Sequence, residues 1–119
     1  MFDPKHNLER FLERIRFSKR ILPSNKKKII NFVKSRLAKG NAPNTIIKYL
    51  YPLHQMNAKG WINKDFNQLK KEDIENILAN VENQNWSAKT KKNFKLTLKV
   101  FYKWLEGEEN FAPGEYPEV

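Results

Sequence analysis

The sequence predicts an all-α fold, and three observations carry that expectation. Apolar residues recur at 3.6-residue spacing in four or five stretches. No stretch shows the strict apolar–polar alternation of a half-buried strand. Prolines, glycines and cap-forming residues fall between the periodic stretches, where helices start and stop.

The opening segment, Asn7–Arg20, places Leu8, Phe11, Leu12 and Ile15 at helical spacing, and Ile21-Leu22-Pro23 stops it. Ser24 or Asn25 is the expected cap of a second helix, Asn25–Ala38. Its apolar face reads Ile29, Ile30, Val33 and Leu37, with Phe32 on the flank, and Gly40 ends it. The third helix follows Asn41-Ala42-Pro43, with Ile46, Tyr49, Leu50, Leu53 and Met56 inward. Asn44, Lys48, Tyr51 and Gln55 lie on the opposite face at 100° per residue. Pro52 is expected to bend or split this helix, and Gly60 to close it.

Trp61 to Phe66 is a connection whose two aromatics are expected to plug the core. A fourth helix, Lys71–Asn83, turns Ile74, Ile77, Leu78 and Val81 inward and carries most of the acids of its region outward. Ser87 is the expected cap of the fifth. There Phe94, Leu98, Phe101 and Leu105 share one face, with Lys92, Lys99 and Lys103 opposite and Lys89 and Lys95 beside them. Gly107 is the expected end, and Glu108 to Val119, without periodicity, reads as a linker or frayed terminus.

The 119 residues suit one domain, and 23 Lys+Arg against 13 Asp+Glu leave a formal charge of +10. The charge is segregated. Residues 14–64 hold 13 bases and no acid, and residues 87–105 hold six lysines and no acid. The acidic run 65–86, with five acids and two bases, separates these blocks. If both basic blocks share a side after folding, that side attracts a polyanion. The competing reading makes the lysines solvated helix exteriors, but it accounts poorly for a 51-residue stretch with no acid.

Enzyme chemistry finds little support. The chain has no cysteine and two histidines, His6 and His54, which excludes thiol catalysis and cysteine-ligated zinc. The glycines at 40, 60, 107 and 114 stand alone, so no phosphate-cradling loop exists. His54 falls at the edge of an apolar stripe, where a core-edge role is expected. Glu72, Asp73 and Glu75 lie on an exposed helix face, and Tyr116 has no partner group nearby in sequence. No cofactor and no metal are expected. No apolar run reaches the roughly 20 residues of a membrane span, and the first residues lack a signal core, so a soluble cytoplasmic domain is expected.

Nucleic-acid binding has more behind it. The starts of the third and fifth helices, at Asn44-Thr45 and Ser87–Thr90, offer N–H groups and a positive dipole end to phosphate, with lysines following on the solvent face. Asn44 and Asn93 carry amides suited to adenine edges.

The run Asn41-Ala42-Pro43-Asn44-Thr45-Ile46-Ile47-Lys48-Tyr49-Leu50, continuing to Leu53, resembles the S-x-x-T-x-x-x-Y-x-x-x-L opening of the core-binding domain of tyrosine recombinases of the phage-integrase type. Trp86-Ser87-Ala88-Lys89-Thr90, followed by Phe94, Leu98, Phe101-Tyr102 and Leu105, is similar to that domain's last helix. Asp65-Phe66 and Leu69–Ile74 resemble its short acidic third helix. The likeness spans about residues 24–107. The Cys-free, Lys/Ile/Asn-rich style resembles archaeal members or archaeal mobile elements.

The resemblance implies a SAM-like bundle of four core helices plus an N-terminal helical arm. Its organisation would be an arm at 1–23, the core-binding domain at 24–107, and a linker at 108–119 toward a missing catalytic domain. It implies a domain that clamps one face of double-stranded DNA, inactive alone, in a parent whose C-terminal catalytic domain cleaves a strand and whose protomers assemble on DNA. Carried residue by residue, the DNA contacts fall on Asn44, Thr45, Lys48, Lys89, Lys92 and Asn93, with Lys95 and Lys99 extending the stripe. Thr45 and Thr90 also suit capping or core-edge roles. The family's opening Ser is Ala42 here, Pro52 interrupts its helix, and the catalytic arginines, lysine, histidine box and tyrosine are absent. The chain is thus expected to be an excised N-terminal domain or a truncated product. The alternative is a helical protein–protein interaction domain whose acidic helix and basic helices meet complementary partners.

Overall fold

The computed structural model describes residues 3–110. Five α-helices follow one another: α1 (Pro4–Arg16), α2 (Pro23–Ala38), α3 (Pro43–Ala58), α4 (Lys71–Glu82) and α5 (Ala88–Asn110), with one 3₁₀ turn, Phe66–Gln68, before α4. Among the described residues there is no strand.

α1 starts earlier than its apolar period announces. The Asp3 carboxylate accepts from the Lys5 and His6 N–H groups at 3.1 and 3.4 Å, and Pro4 supplies a φ suited to the first helical position. The helix stops at Arg16, short of the expected Arg20. The same proline logic moves the start of α2: Pro23 opens the helix, and neither Ser24 nor Asn25 caps it. Gly40 and Gly60 end α2 and α3 with φ of +84° and +79°, a left-handed turn that glycine adopts without steric cost.

Of the two outcomes expected at Pro52, the split does not occur: α3 runs continuously through this buried proline, which gives up one N–H bond, and packing on three neighbours offsets the loss. α5 does not end at Gly107 but continues to Asn110, because Gly107 lies buried inside the last turns and takes no positive φ. The expected linker thus begins inside α5, and residues 111–119, with Tyr116, lie outside the described residues.

α3 is the hub. It packs against α1, α2 and α5, while α4 packs on α5. Phe101 of α5 sits at the centre, its ring 5.2 Å from Phe32, 4.6 Å from Phe66 and 5.7 Å from Trp104. α2 is turned relative to its expected face: Phe32 is fully buried and Leu37 is 46 % exposed. The larger ring buries more apolar area than the leucine, so it decides the rotation. Phe66 plugs the core as expected, while Trp61 is half-buried against Trp86. α1, expected as an arm, is docked: Leu8 and Ile15 are buried, and Phe11 stacks edge-on against His54 of α3 at 5.8 Å.

One buried amide organises the connection into α4. Asn25 donates to the Lys64 carbonyl at 2.8 Å and accepts from the Phe66 N–H at 2.9 Å. Leu69, in turn, accepts at its carbonyl from the buried Tyr102 hydroxyl at 2.9 Å. Asp73 then accepts from the Lys70 N–H at 2.9 Å and starts α4.

Candidate nucleic-acid interface

The two basic blocks meet where α5 begins beside the middle of α3. A chain of rings sets this junction. Trp61 lies against Trp86, Trp86 against Phe94 at 4.5 Å, and Phe94 against Tyr51 at 6.1 Å. Ser87 caps α5 as expected, accepting from the Thr90 N–H at 3.2 Å and donating to the Thr90 hydroxyl at 3.0 Å. Thr90 is thereby used in the cap. Lys91 donates to the Glu82 carbonyl at 2.8 Å and ties the start of α5 to the end of α4.

These constraints leave a groove lined by Lys48, Tyr51, Lys89, Thr90, Lys92, Asn93, Phe94 and Leu96. Four expected contact residues therefore share one site: Lys48, Lys89, Lys92 and Asn93. No carboxylate lines it. Its apolar lining comes from Tyr51 and Leu96, both about half exposed, and from the buried Phe94. Sequence reading placed Tyr51 outward beside Lys48 without assigning it a role; its position three residues from Lys48 is the signal.

The other three candidates sit apart. Asn44 lies one turn before Lys48 and lines a second groove with Asn7, Arg10, Phe11, Arg14 and Ile47. Thr45 is exposed at the start of α3, where Ala42 provides no side-chain cap. Lys95 is paired with the Glu82 carboxylate, in a third groove with Lys91, Lys92, Leu96 and Lys99. Lys95 holds the Glu82 carboxyl below its usual range.

Ion pairing sorts the remaining charge. Lys28 meets Asp65 at 3.3 Å and Lys64 meets Asp73 at 3.4 Å. The Ser24 hydroxyl, the Asn67 N–H and Lys28 hold the Asp65 carboxyl down. The Lys70 N–H, with Lys64, does the same for Asp73. The acids of the region 65–86 thus neutralise Lys28, Lys64 and Lys95, while Lys48, Lys89 and Lys92 make no ion pair among the described residues. Among those residues there is also no group of three potential metal ligands, and no helix long and apolar enough to cross a membrane.

Residues 29–110 match the family model described as phage integrase, N-terminal SAM-like domain. The chain belongs to that family. The matched span takes in most of α2 and all of α3, α4 and α5, so both walls of the groove lie within the SAM-like domain, whereas α1 precedes it. The family describes the N-terminal region of integrases, not their catalytic domain. Neither the curated proteins nor the solved structures give a match.

Proposed function

We propose that this SAM-like domain binds double-stranded DNA and holds one face of a recombination-site duplex. A separate catalytic domain of the parent recombinase would cleave the strand. The observation that carries the reading is the groove between α3 and α5, where Lys48, Lys89 and Lys92 converge with Asn93 and no carboxylate intervenes. Lysines supply phosphate contacts that are indifferent to sequence, and Asn93 has the donor–acceptor pair that an adenine edge requires. Asn44 and Thr45 extend the contact along α3. Lys95 and Lys99 extend it along α5, Lys95 at the cost of its pair with Glu82. The molecule measures 42 × 39 × 28 Å, so its longest side spans roughly 12 base pairs at 3.4 Å each.

The organisation that goes with this reading is a core-binding domain at 24–107, preceded by a helical segment and followed by a connection to the catalytic domain and, on DNA, to other protomers. The cytoplasm is the compartment it implies. The test is an NMR titration with a duplex of about 30 base pairs at low salt, followed by added salt. Shifts at the starts of α3 and α5 that fade with a slope set by about 0.9 per phosphate contact support the reading. A folded protein with no shifts at low salt refutes it, and a protein partner that survives nuclease treatment would then take its place.

A further inference from the structure

We infer that α1, which lies outside the span matched by the family, is a second grip on the DNA backbone, with Arg10 and Arg14 as phosphate contacts. The inference rests on the proposed duplex binding and extends it beyond the SAM-like domain.

Three observations place α1 on the same surface. The groove between α1 and α3 is lined by Asn7, Arg10, Phe11, Arg14, Asn44 and Ile47, again with no carboxylate. Asn44 and Lys48 are four residues apart on α3, so they stand one above the other on its surface. The two grooves therefore flank a single ridge, with the α1 arginines on one side and the α5 lysines on the other. Arg10 and Arg14 are exposed and make no ion pair among the described residues. Of the acids of α1, Glu9 lies about 100° or more around the helix from both arginines, Glu13 lies one turn from Arg10 but pairs with neither, and Asp3 is engaged by the Lys5 and His6 N–H groups.

α1 is also anchored on the core. Leu8 and Ile15 are buried in the core, Phe11 stacks on His54, and the Arg20 guanidinium donates to the Ala58 carbonyl at 3.2 Å. A docked helix presents its arginines without the ordering cost that a free arm would incur on binding. Packed helices sit about 8–10 Å apart, and the major groove is about 12 Å wide. With the α3–α5 edge toward the major groove, α1 falls over a bordering phosphate strand. The guanidinium fork matches phosphate oxygens two at a time, which suits a backbone anchor.

The experiment measures affinity for a duplex of about 30 base pairs from 50 to 200 mM salt, on the full chain, with folding followed by circular dichroism. Arg10→Gln/Arg14→Gln is expected to flatten the log–log salt slope by about 1.8, so that wild type loses about 12-fold more affinity over that range than the variant. Arg10→Lys/Arg14→Lys is expected to restore the slope. Arg10→Gln alone, at an exposed side chain, is expected to remove about 0.9 and guards against a folding defect in the double variant. Lys27→Gln/Lys34→Gln removes the same charge from α2 outside both grooves and is expected to leave the slope near wild type. An equal flattening there would reduce the effect to net charge and overturn the inference. A wild-type slope in Arg10→Gln/Arg14→Gln, alongside a flattened one in Lys89→Gln/Lys92→Gln, overturns the role of α1 and leaves the α3–α5 groove standing. Absence of duplex binding by the folded wild type removes both.

Discussion

Replacing Asn25 by Ala removes two hydrogen bonds from a fully buried amide. The Phe66 N–H is itself buried and loses its acceptor, which costs about 1–3 kcal/mol. The Lys64 carbonyl is only partly buried and regains water, so its loss is smaller, about 0.5–1 kcal/mol. Together these give about 1.5–4 kcal/mol, a large share of the roughly 5–15 kcal/mol that holds a domain of this size. Urea unfolding is the assay, because the midpoint moves while the slope stays fixed if only stability changes. Asn25→Asp sharpens the test. Its carboxylate still accepts from Phe66 but faces the Lys64 carbonyl with no proton to donate, and it buries a charge. Its deficit relative to wild type is expected to shrink as pH falls and the carboxyl gains a proton. A loss below about 1 kcal/mol in Asn25→Ala, or a pH-independent deficit in Asn25→Asp, would falsify the assignment of Asn25 as the clamp of residues 64–66.

Other consequences are as direct. Burial, then the nearby Arg14 charge, lowers the His54 pKa from its ordinary 6.5. The unfolded chain therefore binds the proton first, and stability is expected to fall as pH drops from about 6.5 through the lowered folded value, less so in Arg14→Gln; an imidazole that titrates at or above 6.5 by NMR contradicts this. Tyr102→Phe removes the bond to the Leu69 carbonyl and is expected to cost about 1 kcal/mol in urea with duplex affinity unchanged; a change in affinity would tie that end of α5 to binding. Glu82→Gln frees Lys95, so duplex affinity at low salt is expected to rise and the salt slope to steepen by up to about 0.9; no change would mean that Lys95 does not reach DNA.

The legibility of the sequence varied with the kind of signal. Helix existence was legible because burying one face of a helix requires a 3.6-residue repeat. Glycine ends at 40 and 60 and the Ser87 cap were legible because single residues satisfy backbone geometry locally. Pro4 and Pro23 as openers were missed because a proline stops one helix and starts the next with the same ring. The rotation of α2 and the continuation through Gly107 were not legible, and at Pro52 the sequence left a bent and a split helix open, since each depends on what neighbouring helices offer in packing.

The candidate site divides in the same way. Outward positions such as Lys48, Lys89 and Lys92 follow from the wheel of each helix alone, and the family followed from motifs along residues 24–107. Their convergence in one groove, the diversion of Lys95 to Glu82 and the alignment of Arg10 and Arg14 beside Asn44 do not. The sequence by itself determined which faces of α3 and α5 meet solvent and that the free charge is positive, because periodicity and composition are local properties. Only the tertiary structure decided which cations an acid neutralises and which stand together on one ridge, because these depend on distances between helices that lie far apart along the chain.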